Sequence, residues 1–277
     1  MSDDLLALVV ELEPVRLPRE PRPLGDAIRG FWMGELEQAA DAALWKRLKE
    51  GSQRREYTVS DLYQVEGEAR HWLRLTSLTA ELTGALLGGE LERLPAGRTV
   101  HLHESAFRVL GCATRREEHP WAGRDSYAGL LGRYGPGGTP PPRRLRVGFA
   151  SATTFSRTKR REGPFEVPAQ DVRFPLPDKL AESWRAAWDR FAPAPMDPDV
   201  DRYAAALALK EYRLETTGLQ EYGGVPRNGF LGECIWEDEL RRPEWAARLW
   251  TLADYAFYCG TGRLTTRGLG LTWAGPG

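Results

Sequence analysis

Between Cys259 and Gly270 the chain reads CGTGRLTTRGLG. Its four glycines permit positive φ and close backbone approach, Arg263 and Arg267 carry permanent positive charge, and Thr265 and Thr266 add hydroxyls. Residues of these types, packed this closely, can cradle an anion: a nucleotide phosphate, an RNA backbone, or only the carbonyls of an ordinary turn. Both nucleotide motifs fail on context. A Walker phosphate loop needs G-x-x-x-x-G-K-[ST] between a strand and a helix, and no lysine follows a glycine at that spacing. A Rossmann fingerprint needs a third glycine where Thr265 stands and a βαβ unit after it, whereas seven residues follow Gly270. The expectation is a helix capped at Gly260, a glycine-rich connection and a returning strand.

Other cations gather in Arg157-Thr-Lys159-Arg160-Arg161, Arg54-Arg55, Arg115-Arg116 and Arg143-Arg144-Leu-Arg146. Solvated faces are the plain alternative, but the Arg157–Arg161 cluster is denser than such a face requires. Acidic residues concentrate apart from them, in Glu233–Glu239 and Asp197–Asp201. The histidines are His71, His101, His103 and His119. His71, His101 and His103 fall in expected strands, where a half-buried structural role is the expectation. His101 and His103 share a strand face, yet no third ligand stands at metal spacing.

The elements that must position these groups follow a readable order. Leu5–Glu13 reads as a buried strand. From Leu24 to Lys49 apolar residues recur at helical spacing, with a break possible at Gly30 or Gly34, each costing about 1 kcal/mol relative to alanine. Tyr57–Tyr63 and Ala69–Leu78 are β-like runs about a turn at 66–68, Thr79–Leu87 fits a helix ended by Gly88-Gly89, and Arg98–Thr114 offers one or two strands. The stretch 134–142, YGPGGTPPP, reads as a linker between a first domain, 1–133, and a second, 143–277. In the second half a strand is expected at Leu145–Thr153 and a basic loop at Ser156–Gly163. A helix at Lys179–Phe191, strands at Leu207–Thr217 and Phe230–Glu237, a helix at Glu244–Tyr258 and a strand at Leu269–Trp273 complete it. Both halves approximate β-α-β-β-α-β, so the fold class is α+β with two tandem ferredoxin-like (RRM-like) domains.

Composition narrows the partners. A hydrophobic content of 42% supports real cores. No apolar run approaches the ~18 residues of a membrane span, and MSDDLL lacks the basic start of a signal peptide. Cys112, Cys234 and Cys259 are widely spaced, against zinc or a disulfide framework and for a reducing cytoplasm. With a net charge of −1, RNA binding would require the cations to be gathered on one surface. Of the ten tryptophans, Trp45 and Trp72 are candidates for base stacking, while most, including Trp245 and Trp250, are expected in the core.

Four segments together resemble the CRISPR-associated endoribonuclease family Cas six. Gly260–Gly270 is similar to its glycine-rich loop, and Asn228-Gly-Phe-Leu-Gly-Glu-Cys-Ile235 to its G-F-x-G-x-(apolar) strand. Leu145–Phe155 is similar to a strand ending in S-P-T-x-F, with Ala152 in place of the proline. Leu24–Gly30 through Tyr57-Thr-Val-Ser60 resembles a helix leading to an F-T-x-S strand. The resemblance implies two ferredoxin-like domains and cleavage of repeat RNA without metal or cofactor. The 2′-hydroxyl attacks the adjacent phosphate, leaving a 2′,3′-cyclic phosphate, and the mature guide is retained or handed over. It also implies repeat RNA as partner, with other Cas effector-complex subunits and a second copy of the chain as further candidates.

Many members of that family place a histidine near the end of the first helix; here Trp45 stands in its place. A base, an acid and cations for the phosphorane must then come from elsewhere. Lys46, Arg55 and Tyr57 are the candidate catalytic residues, the lysine as acid or charge stabiliser and the arginine as stabiliser only. Candidate RNA-binding residues are Arg157, Lys159, Arg160, Arg161, Gly260, Gly262, Arg263, Arg267 and Gly268. The second reading, motivated by the missing histidine, is a non-catalytic repeat-binding or scaffold subunit.

Overall fold

The computed structural model describes residues 3–17, 23–50, 55–88, 94–157, 160–162, 164–168, 170–217, 220–222 and 225–277. Arg54, Gly89 and Lys159 lie outside them, and Arg157, Arg160 and Arg161 are described through their backbone. The chain divides into two compact units: one comprises 1–130, 190–193 and 266–268, the other 131–189, 194–265 and 269–277.

The first unit contains β1 (Leu5–Arg16), α1 (Gly25–Ala39), α2 (Ala42–Glu50), β2 (Tyr57–Val59), β3 (Tyr63–Gln64), β4 (His71–Ser77), α3 (Ala80–Gly88), β5 (Thr99–Leu102), β6 (Ser105–Ala113) and β7 (Gly123–Asp125); α4 (Tyr127–Tyr134) follows. Its antiparallel sheet runs β2-β4-β1-β6-β5, with β3 on β4 and β7 on β1. β1 is apolar without alternation because both its faces are covered. Leu6, Leu8, Val10 and Leu12 join a core with Ile28, Trp32 and Leu36 of α1, and the opposite-facing Leu5, Ala7 and Val9 are equally buried. The long helical run does break, though not at a glycine. Asp41 caps a new helix, its Oδ1 accepting the N–H groups of Ala43 and Leu44 at 2.9 Å, while Gly30 and Gly34 stay helical. The stretch 98–114 forms two strands joined at His103-Glu104, with His103 at φ 55°. His101 and His103 therefore do not share a strand face: one sits on β5, the other in the turn, and both are exposed.

The second unit contains β8 (Arg144–Thr153), β9 (Phe155–Arg157), β10 (Arg160–Glu162), β11 (Phe165–Val167), β12 (Gln170–Val172), α5 (Pro177–Phe191, whose last two residues group with the first unit), α6 (Asp199–Ala205), β13 (Ala208–Thr216), β14 (Gln220–Tyr222), β15 (Val225–Arg227), β16 (Phe230–Glu237), α7 (Pro243–Cys259) and β17 (Thr272–Pro276). Its main sheet runs β13-β16-β8-β17. Numbering the four βαββαβ strands of each unit in order, both sheets read 2-3-1-4: the topology is duplicated. The expected basic loop at 156–163 is instead built largely of strand, β9 pairing with β12 and β10 with β11. The last strand starts later than expected because the N–H groups of Gly270 and Leu271 are donated to Ala152 O (3.1 Å) and Ser151 Oγ (2.8 Å). The acidic run 197–201 opens α6: Asp197 accepts the Asp199 N–H at 3.0 Å, and Asp201 binds the Arg185 guanidinium at 2.7 Å. Among the described residues no helix is long and apolar enough to cross a membrane.

Candidate functional site

The glycine-rich connection is held by its own backbone. Gly260, at φ 65°, caps α7 and donates to Ala256 O at 2.9 Å; Thr261 N–H donates to Gly270 O at 2.9 Å. Gly262 N–H donates to Ser183 Oγ at 2.9 Å and Arg263 N–H to Thr154 O at 3.1 Å. Buried Thr261 Oγ1 receives the Trp184 indole N–H at 2.8 Å and lies 2.8 Å from the Thr272 hydroxyl. A Cβ on Gly262 would stand 2.3 Å from Thr154 O, and one on Gly270 2.2 Å from Thr261 O. The amides of Gly260 and Gly262 are thus engaged inside the protein, and the side chains of the arginines are what the connection offers outward. Arg263 is 40% exposed and rests 3.3 Å from Asp171.

Thr266–Gly268 belongs to the first unit, where α1 begins. Gly268, at φ 94°, bridges Ser60 in parallel, and a Cβ there would crowd Asp61 N and Gly25 Cα at 3.2 Å. A side chain on Gly25 would meet Arg267 O at 2.0 Å, so only glycine lets the two backbones approach. Asp61 ties the corner by accepting the N–H groups of Leu24 and Leu62, both at 2.8 Å; burial raises its pKa against those donors. Arg267 is held in this way beside the first turn of α1, its Nε 3.5 Å from Asp26. One turn further along the same helix face, Arg29 Nε donates to the Tyr57 hydroxyl at 3.2 Å. Arg29 escaped the sequence reading. Its i+3 spacing from Asp26 was visible, but nothing in the sequence marked Asp26 as the neighbour of a residue 241 positions later.

Arg267, Arg29 and the Tyr57 hydroxyl therefore lie along α1 and its adjoining strand. An exposed ion pair such as Asp26–Arg267 is worth only ~0–1 kcal/mol, so a phosphate can replace the carboxylate at little cost. The other candidates are placed differently. Arg55 Nη1 donates to Leu48 O at 2.7 Å, closing the C-terminus of α2. Tyr57 is buried, its hydroxyl included. Lys46 is exposed on α2, while Trp45 is half-buried against the first unit's core, with Lys49 Nζ 6.0 Å from its ring centre. The preceding arginine, Arg47, is engaged by Glu56 and Glu81, each at 2.6 Å, and Thr79 Oγ1 donates to Glu56 at 2.7 Å.

None of the four histidines lies on α1 or α2. His71 Nδ1 is 2.9 Å from Ala69 O. His119 is buried among aromatic rings: the Trp72 ring lies 5.2 Å away, itself stacked on Tyr63 at 4.5 Å and Trp121 at 5.9 Å. The Trp121 backbone N–H donates to His119 Nδ1 at 3.1 Å. Burial, then the positive charges of Arg74 and Arg70, lowers the His119 pKa to about 4 and keeps the ring neutral. Trp72 is thus a core residue, stacked on other protein rings. Among the described residues no group of three or more His, Cys, Asp or Glu is disposed to hold a metal ion.

Residues 147–272 match the sequence profile of the family described as CRISPR-associated endoribonuclease Cas6. A comparison with curated proteins yields no match. Among solved structures, a Cas6 product complex is 24% identical, covers 98% of this chain and 99% of its own, and superposes with a TM-score of 0.78. A second Cas6 product complex is 27% identical over 98% of this chain and 99% of its own, with a TM-score of 0.75. Thermus thermophilus Cas6 is 22% identical, covers 99% of both chains and has a TM-score of 0.73.

Proposed function

We propose that this chain is a CRISPR-associated endoribonuclease of the Cas6 family and cuts precursor CRISPR RNA within its repeats. The observation that carries this reading is the glycine-rich connection between α7 and β17, which lies within the family match and presents Arg267 beside Asp26 on α1. Relatives of this fold are known as product and substrate-mimic complexes, which supports an RNA ligand for the same architecture.

The mechanism that fits is attack of a ribose 2′-hydroxyl on the adjacent phosphate without metal, its proton passing to solvent water, with expulsion of the 5′-oxygen and formation of a 2′,3′-cyclic phosphate. Arg267 and Arg29 supply charge for the phosphorane, and positioning of the ribose in line contributes the larger share of rate. The Tyr57 hydroxyl lies within the same group, and exposed Lys46 serves as a proton donor to the leaving oxygen. Arg55 acts through the end of α2. Arg157, Lys159, Arg160, Arg161 and Arg263 contact the RNA backbone. The Gly260, Gly262 and Gly268 backbones shape the connection that holds it.

The test is incubation of the purified protein with the repeat RNA of its own locus in EDTA. Product ending in a cyclic phosphate is expected, and intact RNA after long incubation overturns the nuclease reading. One observation favours the second reading, a repeat-binding subunit that does not cut: Trp45 packs against the core on the helix where the family's histidine is expected. Tight binding with no product is its signature.

A further inference from the structure

One row of side chains crosses the main sheet of the second unit on the face opposite Val147, Phe149 and Cys234. The register aligns Arg213 of β13 with Glu233 of β16, Glu233 with Gly148 of β8, and Gly148 with Trp273 of β17. The glycine is what shapes this row. A Cβ at Gly148 would stand 2.1 Å from Trp273 Nε1 and 2.2 Å from its Cε2, so the indole packs directly against the Gly148 backbone, where only glycine leaves room for it. The indole borders an open groove of about 270 Å³ lined also by Ala150, Glu215 and Leu231. Trp273 remains partly exposed there, as do Glu233 and Leu231.

We infer that this groove is a nucleobase site, taking one unpaired base of the RNA against the Trp273 indole; the inference rests on the RNA-binding function proposed above. The volume is below the ~300 Å³ at which sites for larger ligands begin, which suits one base and not a nucleotide cofactor. A partly exposed indole packed against main chain offers an aromatic surface on which a base can stack. The charge around it selects the part of the nucleotide that enters. Glu215 and Glu233 line the groove with Arg213, so a base edge bearing an exocyclic amino group finds carboxylate acceptors there. Adenine, cytosine and guanine carry such a group, and uracil does not.

The test compares binding of short oligoadenylate, oligocytidylate and oligouridylate by the full chain and by W273A, W273F and E233Q. The wild type is expected to prefer oligoadenylate and oligocytidylate to oligouridylate. W273A should lose roughly 5- to 150-fold in affinity for all three, the span of one stacked base, with the slope of log affinity against log salt unchanged. W273F keeps an aromatic face and should retain most of the binding. E233Q, which leaves the indole packing untouched, should narrow the preference over uridylate. Wild-type affinity in a folded W273A overturns the site, as does an unaltered preference in E233Q if W273A does not fold. Absence of binding by the wild type to these oligonucleotides and to its repeat RNA would instead sink the RNA-binding function itself.

Discussion

Arg267 and Arg29 carry the proposal that α1 presents a phosphate-binding face. R267A is expected to weaken repeat-RNA binding and reduce the salt slope by about one, because one phosphate contact is lost; fluorescence anisotropy across a salt series checks this. R29A is expected to slow cleavage by roughly 100-fold with a smaller effect on binding, as loss of a transition-state charge stabiliser does, measured under single turnover. His119 belongs to stability. Its folded pKa, about 4, lies below the ordinary 6.5, so between these values the unfolded chain binds more protons than the folded one. Stability should therefore fall as pH drops from about 6.5 to about 4, by up to roughly 3 kcal/mol, and H119Q should flatten that dependence in denaturant titrations at each pH. The position of His119 before Pro120 in the sequence showed none of this, because its environment comes from Trp72 on a strand far away in the chain.

The glycines differ in what they do for their elements. Gly262 has φ 78° and its missing Cβ would strike Thr154 O, so G262A is expected to cost roughly 1–3 kcal/mol and to push the connection away from Thr154, between β8 and β9. Gly30 has open space around its absent Cβ and lies mid-helix, so G30A should stabilise by roughly 0.5–1 kcal/mol. Chemical denaturation midpoints separate the two outcomes. Most elements were legible because their signals are local: Phe230–Glu237 was read to the residue, and α7 to within one residue at each end. The break between α1 and α2 falls at Asp41 and not at Gly30 or Gly34, because a capping carboxylate starts a new helix whereas a single glycine only weakens one. The basic composition of 156–163 predicts a loop, whereas β9 and β10 form there because short strands take their stability from their partners, here β12 and β11, and not from propensity.

At the scale of the whole chain, two sheets of order 2-3-1-4 repeat one topology without close sequence repetition. A net charge of −1 does not announce an RNA-binding protein, and Arg185, Arg143 and Arg47 are paired with carboxylates of the chain itself, Asp201, Glu237 and Glu56. By itself the sequence determined the types and order of the main elements, the two-fold ferredoxin-like plan, the glycine-rich connection and the family resemblance. These rest on hydrophobic period, turn residues and motif spacing, all of which act over a few residues. Only the tertiary structure decided that Arg267 meets Asp26 one turn before Arg29, that the amides of Gly260 and Gly262 are consumed internally, and that Trp273 packs against Gly148. Each of those depends on strand register and on backbones close enough to exclude a Cβ, and residues far apart in the chain acquire such geometry only when the sheets form.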